Sequence, residues 1–95
     1  MTYTVEVIAP PLVKTQTELS APLSASDTTW SVNDPGVFQP NDVIQLYFWH
    51  ERQQSWVPDE VVVLLESGSL LRGTYRTNVV DHEAGVPARA IGVIP

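Results

Sequence analysis

Asp42-Val43-Ile44-Gln45-Leu46-Tyr47-Phe48-Trp49 is the most apolar stretch of the chain, built largely from β-branched and aromatic residues that suit a pleated backbone. With successive side chains on opposite faces, Ile44, Leu46 and Phe48 point one way and Val43, Tyr47 and Trp49 the other. A strand apolar on both faces needs cover on both. The segment therefore predicts a buried strand and sets the reading of what lies around it.

On its C-terminal side, residues 50–55 form a polar loop, Trp56-Val57 resumes extended character, and Pro58-Asp59 signals a further turn. Residues 60–65 hold Val61, Val62, Val63, Leu64 and Leu65, too short for a typical helix and rich in valine, which predicts a second buried strand. Ser67-Gly68-Ser69 reads as a hairpin turn into a strand over residues 70–75. Residues 78–88 are polar and turn-rich, with one helical turn as an option near residues 79–83, and residues 89–94 close the chain as a short strand. On the N-terminal side, Asn33-Asp34-Pro35-Gly36 is a concentrated turn signal, preceded by a strand candidate over residues 26–33. Residues 14–25 read as a connecting arm with at most a short strand. Residues 2–9 alternate, with Tyr3, Val5, Val7 and Ala9 on one face, until Pro10-Pro11 stops the pattern. Closely spaced strands and turns predict an all-β fold, a small single-domain antiparallel barrel or sandwich with an extended N-terminal arm. Residues 1–18 are the arm and residues 19–95 the β domain.

Composition narrows the function. The chain has 95 residues, 43% hydrophobic and 17% charged, which excludes disorder through excess charge. Cysteine is absent, so neither a disulfide nor a thiolate metal site can reinforce a thin core. Eleven acids against five bases leave a net charge of −6, which argues against phosphate backbones and anionic lipid as partners. No apolar run approaches the roughly 20 residues of a membrane span. The first residues lack the basic flank and apolar stretch of a signal peptide. The expected setting is the compartment of synthesis or a particle assembled there.

Catalytic constellations are sought and not found. Asp81-His82-Glu83 is the tightest acid–imidazole cluster, but neighbours on extended chain diverge, and His50 is the only other histidine. Ser67 or Ser69 with His82 and Asp81 contains the elements of a serine triad, yet an adjacent Asp-His pair is poorly placed to orient the ring, and no nucleophile elbow is present. Asp59 and Glu60 are expected to diverge as consecutive strand residues. Gly68, Gly73, Gly85 and Gly92 reproduce no phosphate-loop spacing. The expectation is no enzyme activity, no metal and no cofactor. Trp30, Trp49 and Trp56 with Tyr47 and Tyr75 could stack on sugars, although core or interface packing is the commoner use of such side chains.

A longer pattern runs from residue 19 onward. Leu-Ser-Ala-Pro-Leu-Ser-Ala-Ser-Asp-Thr-Thr-Trp-Ser-Val-Asn-Asp (19–34) is followed by Gly36-Val37-Phe38, Asp42-Val43-Ile44-Gln45-Leu46 and Asp59-Glu60-Val61-Val62-Val63-Leu64. A Ser-Gly-Ser turn, Leu70-Leu71-Arg72-Gly73-Thr74 and His82-Glu83-Ala84-Gly85-Val86-Pro87-Ala88 complete it. This order of motifs resembles a β module of tailed-bacteriophage tail-fibre and baseplate-associated structural proteins and covers about three quarters of the chain. Two departures stand out: residues 47–58 look like an insertion where the family has a tight connection, and the Arg-Gly step reaches His82 without a second glycine. The resemblance implies that Arg72 pairs with a carboxylate or with strand-end carbonyls and so fixes the loop carrying His82. Gly73 and Gly85 then sit where backbone approaches closely or φ is positive.

The function expected from this combination is a virion structural protein, a small tail subunit at the fibre base or baseplate that acts by protein–protein assembly. Its partners would be other virion proteins and further copies of the chain, a trimer first, with no nucleic acid and no membrane. A capsid decoration protein on the head exterior is the alternative within that class, and a carbohydrate-binding module using Trp49 and Trp56 the alternative outside it. The expected contact residues are Tyr3, Val5 and Val7 of the arm and Tyr47, Trp49, Arg52 and Trp56 of the insertion. Arg72, Gly73, His82 and Gly85 are expected to brace the long loop.

Overall fold

The computed structural model describes residues 15–94. The alternating segment with Tyr3, Val5 and Val7, and the Pro10-Pro11 break, lie outside the described residues.

The expected all-β antiparallel domain forms as one curled sheet, a half-barrel. Its strands are β1 (Gln16–Glu18), β2 (Asp42–His50), β3 (Ser55–Leu64), β4 (Leu70–Leu71) and β5 (Pro87–Val93), in the spatial order β1-β5-β2-β3-β4. β2 lies at the centre, pairing antiparallel with β3 on one side and β5 on the other. Side chains pack on both of its faces, as its composition demands. On the concave face, Ile44, Leu46 and Val62 pack with Leu19, Leu23, Phe38, Leu70, Val86 and Ala88. On the convex face, Val43, Val61 and Val63 form a smaller cluster with Leu65 and Ile94 against it.

The open side of the half-barrel is crossed by residues 19–32. Leu19 donates its N–H to Val86 O at 3.0 Å and accepts from Gly85 N–H at 2.7 Å. Leu23 and His82 exchange both backbone bonds, at 2.9 and 2.8 Å. Further along, Leu70 N–H donates to Thr28 O at 2.7 Å. The crossing segment thereby ties the β5 side of the sheet to β4, and Trp30 within it stacks on Phe38 with ring centroids 5.5 Å apart.

Four local expectations are corrected. Residues 26–33 do not form a strand; only Val32 makes a bridge, to Leu19. Short polar side chains compete with ladder formation there: Ser24 N–H donates to Asp27 Oδ2, Asp27 N–H to Ser24 O, and Ser26 N–H to Ser24 Oγ. The strand expected over residues 70–75 stops at Leu71, because Tyr75 and Arg76 turn at φ 55° and 67° and Thr77 N–H closes on Thr74 O. Residues 79–83 contain no helical turn, and His82 among them makes an isolated bridge to Leu23. Pro58-Asp59 is not a turn but lies inside β3.

That last correction shapes the molecule. The register runs Leu46↔Glu60 and then Tyr47↔Pro58, so Asp59 is the extra residue of a β-bulge. Proline is tolerated at a bulge because it has no ladder hydrogen to give. One extra residue reverses the inside–outside alternation of β3. Trp56 consequently stands opposite Trp49 on one face of the hairpin. Without the bulge, period-2 alternation would have put Trp56 on the face of Glu60 and Val62, toward the core.

Candidate functional site

Two features meet around the bulge: a buried charge cluster inside the half-barrel and an aromatic cleft beside the hairpin.

The cluster is built on Glu60, which is fully buried and opposite Leu46 on the concave face. Arg72 continues β4 onto the same face and grips the carboxylate twice, Nε to Oε2 at 2.8 Å and Nη2 to Oε1 at 3.0 Å. Its remaining donors reach Ser24 O, Asp27 O and Val80 O, at 2.8, 2.6 and 2.8 Å. One guanidinium therefore ties β3, the crossing segment and the loop before His82. Gly73 N–H adds a bond to Glu60 Oε2 at 2.9 Å and Val80 N–H one to Oε1 at 3.3 Å. Gly73 sits at φ +63°, and a Cβ there would lie 2.8 Å from Val79 Cγ2, so only glycine brings its amide to the carboxylate without strain. Gly85, at φ +93°, faces open space and serves by turning the chain to donate to Leu19 O.

His82 completes the cluster. Its side chain is buried, with Nε2 2.7 Å from Glu60 Oε1. Glu60 is ionised: burial pushes its carboxyl up, but the bonds from Arg72, His82, Gly73 and Val80 outweigh this and hold it below its ordinary range. A carboxylate only accepts, so His82 Nε2 is a donor. The other ring nitrogen, Nδ1, lies 3.6 Å from Asp59 Oδ1, and both atoms are buried with no hydrogen-bond partner. Burial raises the Asp59 carboxyl, the Glu60 charge adds to this, and His82 opposes it. The bulge is what lets the consecutive acids Asp59 and Glu60 both approach one imidazole, where regular strand geometry would have sent them to opposite faces.

The cleft, about 410 Å³, lies between the far end of the β2–β3 hairpin and residues 81–86. Tyr47, Phe48, Trp49 and Trp56 line it from the hairpin, with Glu51 from the tip turn; Asp81, His82, Glu83, Ala84 and Val86 line the other wall. It exists because the β2–β5 ladder ends at Leu46↔Ala88. Pro87, next on β5, has no N–H to offer, and the chain before it turns away to bond Leu19 and Leu23. Among the described residues, no strand pairs with residues 47–50 of β2 on that side. Trp49 and Trp56 meet edge to face, ring centroids 5.3 Å apart at 72°. They remain 40% and 44% exposed, and Phe48 is 38% exposed. Arg52 is exposed in the turn, where Gln53 N–H donates to His50 Nδ1 at 3.2 Å.

The structure thus gathers Tyr47, Trp49 and Trp56 at one cleft, leaves Arg52 at the tip beyond it, and joins Arg72, Gly73 and His82 in one cluster. Ser67 and Ser69 remain apart in the β3–β4 turn, and His82 is engaged by Glu60 instead. Among the described residues no three His, Asp or Glu side chains are arranged to hold a metal ion. The centre that sequence reasoning missed is Glu60. Its signal was the second acid of the Asp59-Glu60 pair, directly before three valines, matched by a lone arginine directly after two leucines. Compared with known proteins, the chain matches no family model, no curated protein and no solved structure.

Proposed function

We propose that this chain is a structural subunit of a tailed-bacteriophage virion, a small tail part at the fibre base or baseplate that works by binding neighbouring proteins. The observation that carries the assembly reading is the exposed aromatic end of the β2–β3 hairpin. Tryptophan and tyrosine dominate interface energetics out of proportion to their number. Here Trp49, Trp56, Phe48 and Tyr47 are set together on a projecting hairpin, outside both core clusters. The phage setting rests on the ordered motifs of residues 19–88 that resemble tail-fibre and baseplate modules. The net charge of −6 suits a position away from packaged DNA. Because Trp49 and Trp56 meet edge to face, they offer no single flat platform for a sugar ring, which favours a protein contact over a glycan.

Gold-labelled antibody against the chain, applied to purified tailed particles whose genome encodes it, is the test. Label at the tail tip or fibre attachment is expected. Label over the head would transfer the reading to a decoration subunit, and particles without the chain would overturn the virion role.

A further inference from the structure

We propose that the cleft between the hairpin and residues 81–86 receives an extended basic segment of a partner protein, which adds as a strand along residues 47–50 and seats an arginine or lysine side chain between the aromatic rings and the Glu51 and Glu83 carboxylates. This rests on the assembly reading above and gives that contact a chemistry.

Three observations converge on it. The edge of β2 over residues 47–50 has no strand partner on the β5 side among the described residues, because the ladder stops at Pro87. Such an edge presents backbone donors and acceptors in the spacing that an added strand satisfies. The walls carry Glu51, Asp81 and Glu83 and no arginine or lysine. Asp81 Oδ1 already accepts from Ala25 N–H at 2.7 Å, and the buried His82 is held by Glu60. Glu51 and Glu83 are exposed and have no ion pair or side-chain hydrogen bond among the described residues, so they are the acids free to meet an incoming cation. Four aromatic residues line the same space, and an aromatic face attracts a cation most where water is excluded. A strand edge, free carboxylates and aromatic faces together fit a basic side chain on an extended backbone.

Charge also decides against a second copy of this chain as occupant. The N-terminal arm, residues 1–18, carries Lys14 against Glu6 and Glu18, so the arm of a neighbouring copy is net acidic, and its alternating stretch over residues 2–9 holds no lysine or arginine to seat in the cleft. Like charge on both partners would oppose its entry.

The test is a fluorescence titration of the full chain, since two of its three tryptophans line the cleft. The probe is a capped seven-residue peptide of alternating threonine, serine and valine with one central arginine; its control carries glutamine at that position. Saturable binding of the arginine peptide, weakened by added salt, is expected. The glutamine peptide should bind at least tenfold more weakly, and so should the arginine peptide with the double variant Glu51→Gln/Glu83→Gln, whose changes are at exposed positions and whose fold is checked by circular dichroism. The same arginine peptide N-methylated at alternate amides should fail in one methylation phase and bind in the other. Equal binding of the arginine and glutamine peptides overturns the proposal, as does no binding of either, or a response to chitotriose in place of the peptide. If no peptide binds while Trp56→Ala still weakens subunit association, the cleft inference fails and the assembly reading stands. If association is also indifferent to Trp56→Ala, both fail.

Discussion

The two halves of the β2–β3 hairpin are made from the same kinds of residue and end in opposite environments. Below the bulge, Ile44, Leu46, Val62 and Val63 are each no more than 2% exposed, the first three packed with β4, β5 and the crossing segment and Val63 with Leu65 and Ile94 on the other face. Above it, Phe48, Trp49 and Trp56 are larger and more apolar in area, yet each is 38% to 44% exposed. Hydrophobicity alone does not separate them. Ladder partners do: β5 accompanies β2 only as far as Leu46, and β4 pairs only with Val63 and Leu64 of β3. A two-stranded ribbon has nothing to bury its faces against, so the aromatics stay at the surface. The lesson is that cover, set by where neighbouring strands end, decides whether an apolar strand is core or exposed surface.

If the lower half is the core, breaking the charge cluster there should have the largest effect. Arg72→Ala leaves the Glu60 carboxylate buried without its guanidinium, and loss of one partner of a buried pair typically costs about 3–5 kcal/mol. For a domain whose whole stability is of the order of 5–15 kcal/mol, urea unfolding should show a large fall in midpoint or a largely unfolded variant. Arg72→Lys should not rescue it, since a lysine cannot make the bidentate pair and three carbonyl bonds together.

Next in size is Ile44→Ala. It removes a fully buried side chain from the concave face and should cost about 2–5 kcal/mol by the same measurement, without touching the hairpin end. A small effect here would mean that the lower half is not the packed region.

Much of this division could be read from the chain. β2, the Val61–Val63 strand, the Ser-Gly-Ser turn and the turn at Pro35-Gly36 follow from local composition, because each is enforced by residues within a few positions. Residues 47–58 stand out because Trp49, Trp56 and Arg52 crowd there. The bulge could not be read, since Pro58-Asp59 carries the same signal as a turn, and only the register between two strands distinguishes them. Its consequence was hidden with it: the convergence of Asp59 and Glu60 on His82 depends on one extra residue in β3. The misread strand at residues 28–32 has a related cause. Thr28, Thr29 and Val32 favour extended backbone, but tertiary bonds to β4 and to Leu19 recruit that segment one residue at a time, so no continuous ladder forms.

A smaller effect sharpens the boundary itself. Glu60 has a lowered carboxyl in the fold, so its contribution is fully present above its ordinary value of 4.5 and is lost as pH falls through the lowered one. Asp59 is raised, so its contribution is present below 3.8 and lost as pH rises through the raised value. The two slopes oppose each other. Asp59→Asn removes the second and supplies an amide donor toward His82 Nδ1, so the variant should raise the urea midpoint at neutral pH by no more than the equivalent of about 1 kcal/mol. In acid, where wild-type Asp59 is protonated, the advantage should vanish. A variant less stable than wild type at neutral pH would mean that the fold favours the Asp59 carboxylate and does not penalise it.

The central claim is that the bulge turns Trp56 out of the core and onto a contact surface, and paired measurements on Trp56→Ala test it most directly. Urea unfolding of the dilute protein reads its share of the fold, and sedimentation equilibrium reads association with copies or partner. The Trp49–Trp56 edge-to-face pair is worth about 0.5–1.5 kcal/mol, so the unfolding free energy should fall by about 1 kcal/mol, well short of the Ile44→Ala loss. Association should weaken by about 2 kcal/mol or more. A folded monomer lost on substitution, with association of the remaining folded fraction unchanged, would return Trp56 to the core and contradict the account.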